Sequence, residues 1–307
     1  MVSFRFHLVS LTAVFLALAI GIAMGATVVD RATVSLLESR LDTVKRHSDE
    51  TNQQNDQLRA EVNRWNQFAG QTGDQLLAGR LSGVSVVVVV VEGSDKGSLD
   101  AMRQSLVAAN ATLQGTLWLN AKLALRDNDD VTALRTLTDA PTARPADLRR
   151  LVASQVAAAL TSTTALAPLG ALVDKGYARA EAPGGATVGP ANLTTAAARF
   201  VVVADGKAAA PNNELAQPLV DELARLAPSR VVGAEAGRDA KPGSPAVRAQ
   251  FVGLLRGEPD LKASTVDDLD IYVGRVAVVL ALRQMSDGRL GHYGVGTGAT
   301  RLIPDIP

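Results

Sequence analysis

The stretch SVVVVVVEGSD, residues 85–95, decides the fold of this chain. Six consecutive valines leave no polar face, so a strand made of them is buried on both sides, as strands of parallel sheets are. Glycines 83 and 93 bound the run, and β-branched side chains favour extended backbone. Working outward, a helical pattern covers 98–109, and ATLQGTLWLNAKL (111–123) alternates as a more exposed strand does. Helical spacing returns at 131–137 and 145–160. ARFVVVADG (198–206) is a second buried-strand pattern, followed by a helix over 214–226 and a strand in SRVVGAE (229–235). Strands alternating with helices predict an α/β fold, a mostly parallel sheet flanked by helices. Right-handed crossovers place those helices on both faces. Ligands in such folds gather beyond the carboxyl ends of the strands. Here those ends carry Glu92, Ser94, Asp95, Asp205, Glu235 and Gly237.

Composition narrows the function. Lysine plus arginine equals aspartate plus glutamate at 31 each, so no global field recruits nucleic acid, which is not expected as a partner. Cysteine is absent, which removes disulfides, thiolate metal sites and cysteine nucleophiles. Four methionines and three histidines leave few soft metal ligands. No Ser-His-Asp spacing, HExxH helix or paired-carboxylate signature is present, so no enzymatic activity is expected. A transmembrane barrel needs many alternating strands of about 10 residues with aromatic girdles. Aromatics make up 4% of this chain and its strongest strand does not alternate, so a single-chain barrel is not expected.

Before the valine strand lies LVSLTAVFLALAIGIAMGATVV, residues 8–29, without a charge. About 22 residues at 1.5 Å each suffice to cross a hydrocarbon core of ~30 Å, so the lipid bilayer is the first expected partner. A secretory signal cleaved near Ala23 to Gly25 is the competing reading, but signal cores run only ~7–15 apolar residues. Arg5 precedes the span, while Asp30 and Arg31 cancel after it. Residues 1–7 therefore form a cytoplasmic tail and the bulk is extracytoplasmic. Cleavage of the first segment would instead release the chain toward an outer membrane.

Residues 31–70 read RATVSLLESRLDTVKRHSDETNQQNDQLRAEVNRWNQFAG, with no glycine or proline before Gly70. A heptad frame places Val34, Leu41, Asn55 and Val62 at a positions, and Leu37, Val44, Leu58 and Trp65 at d positions. The seam is apolar at both ends and polar in the middle. Asn55 at an a position specifies register in a two-stranded coil. A coiled-coil stalk over 30–70 that joins two copies in parallel is therefore expected, although Arg40 at g would meet Lys45 at e. The alternative is a single helix packed on its own globular body. Ala17, Gly21 and Gly25 form a small-residue ladder suited to close helix approach, but Gly21 at b and Gly25 at f fall opposite the seam. A straight helix cannot present both faces to one partner, so one is idle or the helix breaks near residue 26. GQTGDQLLAGRLSG (70–83) reads as a loose connector to an α/β domain over 80–307.

The tail carries GHYGVGTGA, residues 291–299. A phosphate cradle follows a strand and opens a helix. Here an apolar helix from about Gly274 precedes the glycines, Gly288 stops it, and ATRLIP follows, so the order is reversed. The pattern predicts a turn needing positive φ at several of Gly291, Gly294, Gly296 and Gly298, with the Tyr293 ring packed and His292 bonded to backbone. A small-ligand or metal contact through His292 and Tyr293, helped by Asp267 and Asp268, is the alternative.

Two segments together carry a family resemblance: FRFHLVSLTAVFLALAIGIAMG (4–25) and STVDDLDIYVGRVAVVLALRQMSDGRLGHYGVGTGATRL (264–302). The chain resembles the actinobacterial copper-transport proteins of the MctB type. Residues 7–11 match the opening pattern, and 264–268, 274–275 and 291–294 match the closing one. The resemblance implies copper ion as a transported substrate, efflux across the cell envelope, a contribution to copper resistance, and pore formation in an outer membrane. The other reading left open by the residues is a membrane-tethered coiled-coil scaffold with an outward-facing α/β ligand-binding domain.

Overall fold

The computed structural model describes residues 4–162, 165–195, 197–236 and 250–306. The chain divides into two compact units, Met1–Trp65 and Asn66–Pro307. Helix α1 (Phe4–Leu77) runs through 74 residues without a break in its hydrogen-bonded backbone. The break considered near residue 26 is absent, so the small-residue face and the heptad seam point to opposite sides of one helix. Within the first unit the apolar window is Phe6–Gly25, 20 residues with a mean hydropathy of 2.3.

The second unit is an α/β sandwich. Its strands are β1 (Ser85–Val91), β2 (Thr112–Leu119), β3 (Ala178–Glu181), β4 (Arg199–Val203), β5 (Val231–Ala234), β6 (Ser264–Val266) and β7 (His292–Tyr293). Its further helices are α2 (Lys96–Ala108), α3 (Asn128–Leu137), α4 (Pro145–Thr161), α5 (Ala167–Asp174), α6 (Ala216–Leu226), α7 (Gln250–Arg256) and α8 (Tyr272–Gln284). Among the described residues one sheet forms, in the order β3-β2-β1-β4-β5-β6-β7. Every neighbouring pair is parallel except β2 with β3. The valine strand is central. In register, Val86 to Val90 of β1 lie beside Arg199 to Val203 of β4.

Burial explains the unbroken valine run. Val86, Val88 and Val90 enter a core layer with Leu99 and Met102 of α2 and Val278 of α8. Val87, Val89 and Val91 enter the opposite layer with Val152 and Val156 of α4 and Leu219 of α6. All six are at most 1% exposed, and each such side chain contributes about 1.5–3 kcal/mol relative to staying in water. Both sheet edges are occupied by the chain itself. Val188 donates its N–H to the Ala180 carbonyl (2.9 Å) on β3, and Thr300 to the His292 carbonyl (2.8 Å) on β7. Self-covered edges prevent strand pairing between molecules, and the two edges are not joined into a barrel.

Two sequence expectations change. The strand at 111–123 was expected to be half exposed, yet from Gly115 onward β2 is wholly buried, because β3 and the helices of both layers cover it. The connector at 70–83 is not loose. Helix α1 continues to Leu77, and Leu77 and Leu81 are at most 1% exposed in the α2–α8 layer. Gly73 is part of that contact: a Cβ there would lie 1.5 Å from the Tyr272 hydroxyl oxygen, so the glycine admits the aromatic ring. Periodicity did not reveal α5, β3, α7, β6 or β7, whose lengths of two to eight residues give no repeat to read.

Candidate functional site

In a doubly wound sheet the ligand crevice opens where the strand order reverses. That point here is between β1 and β4, at Glu92, Asp95 and Asp205. The two strand-end loops are bonded to each other. Asp95 donates its N–H to Asp205 Oδ2 (2.8 Å), and Lys207 donates its own to Asp205 Oδ1 (2.8 Å). Ala209 donates to the Glu92 carbonyl (2.7 Å). Burial pushes the Asp205 carboxyl above its ordinary value, and the two backbone donors only partly offset that rise. Asp95 caps α2 by accepting from the Ser98 N–H (2.7 Å), which holds its carboxyl below the usual range.

The pattern repeats along the rim. Glu92 accepts from the Ala121 N–H (2.7 Å). Glu235 accepts from Phe251 (3.1 Å) and Val252 (2.9 Å), capping α7. Each strand-end carboxylate thus takes the place of a ligand, using a charge-assisted bond to hold a neighbouring loop. Gly237, expected at the end of β5, lies outside the described residues.

The glycine-rich tail completes the row. Asp267, leaving β6, accepts from Val295 N–H and Gly296 N–H at 2.9 Å each and from Arg256 Nη1 at 2.8 Å. Both charged side chains are 3% exposed. Arg256, the last residue of α7, also donates to the carbonyls of Tyr293 (2.7 Å) and Thr297 (3.1 Å) and to Thr265 Oγ1 (3.0 Å). Gly294 makes the wrap possible. Its φ is +121° and a Cβ would stand 1.8 Å from Asp267 Oδ1, a conformation and a gap that only glycine offers. Gly298 also takes a positive φ of 78°, whereas Gly291 and Gly296 do not.

His292 and Tyr293 form β7 on the opposite side of this knot. Tyr293 is buried and donates its hydroxyl to Gln284 Oε1 (3.0 Å); burial pushes its phenol up. The His292 ring bonds a side chain rather than backbone: Nδ1 lies 2.9 Å from Thr265 Oγ1. The same hydroxyl accepts from Arg256 Nε (3.0 Å), so Thr265 links the ring to the arginine. Burial, then the Arg256 charge, lowers the His292 pKa. Asp268 is buried, with φ +62°. The structure therefore brings Asp267, Asp268, His292, Tyr293 and the glycines to one end of the sheet. The residue that organises them, Arg256, was not visible in the sequence, since a single arginine eleven positions upstream carries no motif. Among the described residues, no group of three or more histidines and carboxylates is placed to hold a metal ion.

In the first unit the seam residues Leu37, Leu41, Val44, Asn55, Leu58, Val62 and Trp65 are all exposed. The side chain of Val34 lies outside the described residues.

Comparison with known proteins gives a match over residues 1–304 to the family described as copper transport outer membrane protein, MctB. The protein named copper transporter MctB from Mycobacterium tuberculosis (strain ATCC 25618 / H37Rv) is 28% identical over 313 residues, covering 97% of this chain and 98% of that protein. The protein of the same name from Mycobacterium leprae (strain TN) is 26% identical over 324 residues, covering 98% and 99%.

Proposed function

Because the chain belongs to the MctB family of copper transport outer membrane proteins, we propose that it serves copper export across a cell envelope and so contributes to copper resistance. The observation that carries this reading is the family match through residues 1–304, which takes in the apolar helix and the glycine tail together. Copper is the cargo, and no catalytic step is involved; the relatives are named as transporters. Helix residues Phe6–Gly25 lodge in lipid, with the amino terminus in the cytoplasm and the α/β unit outside. The sheet is open and packed by helices on both faces, so a passage for ions is formed between copies rather than through one chain. Deletion of the gene is the test. Cellular copper and copper sensitivity should rise and return to normal when the full chain is restored; unchanged copper handling refutes the proposal. Amino-terminal sequencing of the mature protein distinguishes an anchored form from a cleaved one in an outer membrane.

A second reading, a membrane-tethered scaffold with an outward-facing α/β domain, is favoured by one observation. The rim where ligands bind in doubly wound folds is laced by the protein's own carboxylates and backbone N–H groups. Under this reading deletion leaves copper content unchanged and alters envelope integrity instead.

A further inference from the structure

Every residue from 36 to 65 is exposed in the first unit, the apolar ones included. Leu41 and Val44 are each 68% exposed and Leu58 is 59% exposed. A solvated helix with no packed face is only marginally stable by its own propensity, so this ladder of seam residues wants a partner. We propose that the partner is a second copy of this chain, bound in parallel and in register through Leu37, Leu41, Val44, Leu58, Val62 and Trp65.

Three observations select that occupant. Apolar residues fill the a and d positions at both ends of the segment, Leu37, Leu41 and Val44 and then Leu58, Val62 and Trp65, a pattern complementary to another heptad seam and not to a flat surface. The one apolar window found among the described residues, Phe6–Gly25, lies at one end of the helix, so all copies in one membrane run in the same direction. Asn55, at an a position between Thr51 and Leu58 at d, is matched only by Asn55 of the other copy when the two are in register. Six apolar side chains on each of two helices offer on the order of 1,000 Å² of surface, the scale of a specific interface. The small-residue ladder of Gly21 and Gly25 faces away from the seam on this unbroken helix, so it does not take part in the same pair.

The proposed register also sets a weakness. Arg40 at g of one copy faces Lys45 at e of the other, twice per dimer, where like charges repel.

The chain has no cysteine, which makes engineered thiols unambiguous. Full-length protein in membranes is oxidised after Val44→Cys, Val62→Cys or, as an outward-facing f-position control, Ala60→Cys. Dimer bands from both seam variants and not from the control support the proposal. Crosslinking at neither seam position, or equally at the control, overturns it, and so does an antiparallel pair, in which neither Val44 nor Val62 meets its own copy. A second measurement does not depend on oxidation. Lys45→Glu turns both repulsive contacts into attractive ones and should tighten dimerisation of the full chain in detergent on the order of tenfold; unchanged or weaker association refutes the register.

Discussion

Replacing Asp267 by alanine tests whether the tail is held by a buried ion pair. Asp267 and Arg256 are 2.8 Å apart with both side chains 3% exposed. Removing one member leaves a buried charge without its counter-ion, which costs about 3–5 kcal/mol. Two backbone donors, Val295 and Gly296, also lose their acceptor, at about 1 kcal/mol each. Against this, Arg256 keeps its bonds to Thr265, Tyr293 and Thr297. The net expectation is a loss of about 4 kcal/mol, a large share of the 5–15 kcal/mol typical of a domain. The assay is urea unfolding of the full chain in detergent, followed through Trp118, which is 7% exposed. Arg256→Met alone should cost a similar amount because it strands the carboxylate. Combining the two removes both charges, so the double variant should lose at least about 2 kcal/mol less than the sum of the single losses. A loss below 1 kcal/mol for Asp267→Ala, or strict additivity, would show that the pair does not hold the tail.

Two further outcomes are expected. Gly294→Ala should destabilise the second unit by at least about 2 kcal/mol, from positive-φ strain together with the 1.8 Å approach to Asp267; a wild-type unfolding midpoint would contradict the geometry. Asp221 lines an exposed cavity of about 380 Å³ with Glu258, Asp260 and Lys262, and its carboxyl is pushed up to about 6 by burial, then by Glu258 and Glu222. Its ionised form is thus disfavoured in the folded state, so its contribution to stability is complete below the unfolded value of about 4 and is lost as pH rises through 6. Asp221→Asn should flatten that part of the stability profile, and an unaltered slope would remove the assignment.

The candidate site was only half legible. The acidic pair and the glycine tail stand out as residues, but the sequence offers two uses for them, a turn or a ligand contact. The hydrogen bonds decide what they do: the carboxylate of Asp267 is taken by Val295, Gly296 and Arg256, and the His292 ring by Thr265. The connector at 70–83 differs from its sequence pattern for a related reason. Glycine weakens a helix by about 1 kcal/mol, so Gly70 and Gly73 look like breaks. Burial of Leu77 and Leu81 against the α2–α8 layer outweighs that cost.

By itself the sequence determined the apolar span, the heptad ladder, the doubly buried valine strand and the alternation of strands with helices. These depend on side-chain spacing along a few turns or one strand, a property carried by neighbouring residues. Tertiary structure alone decided the strand order, the covering of β2, and the partners of each strand-end carboxylate. Asp95 and Asp205 stand 110 positions apart, and Arg256 and Asp267 sit on different elements. Such pairs meet only when the whole sheet is assembled, because no local period encodes which loop lies beside which.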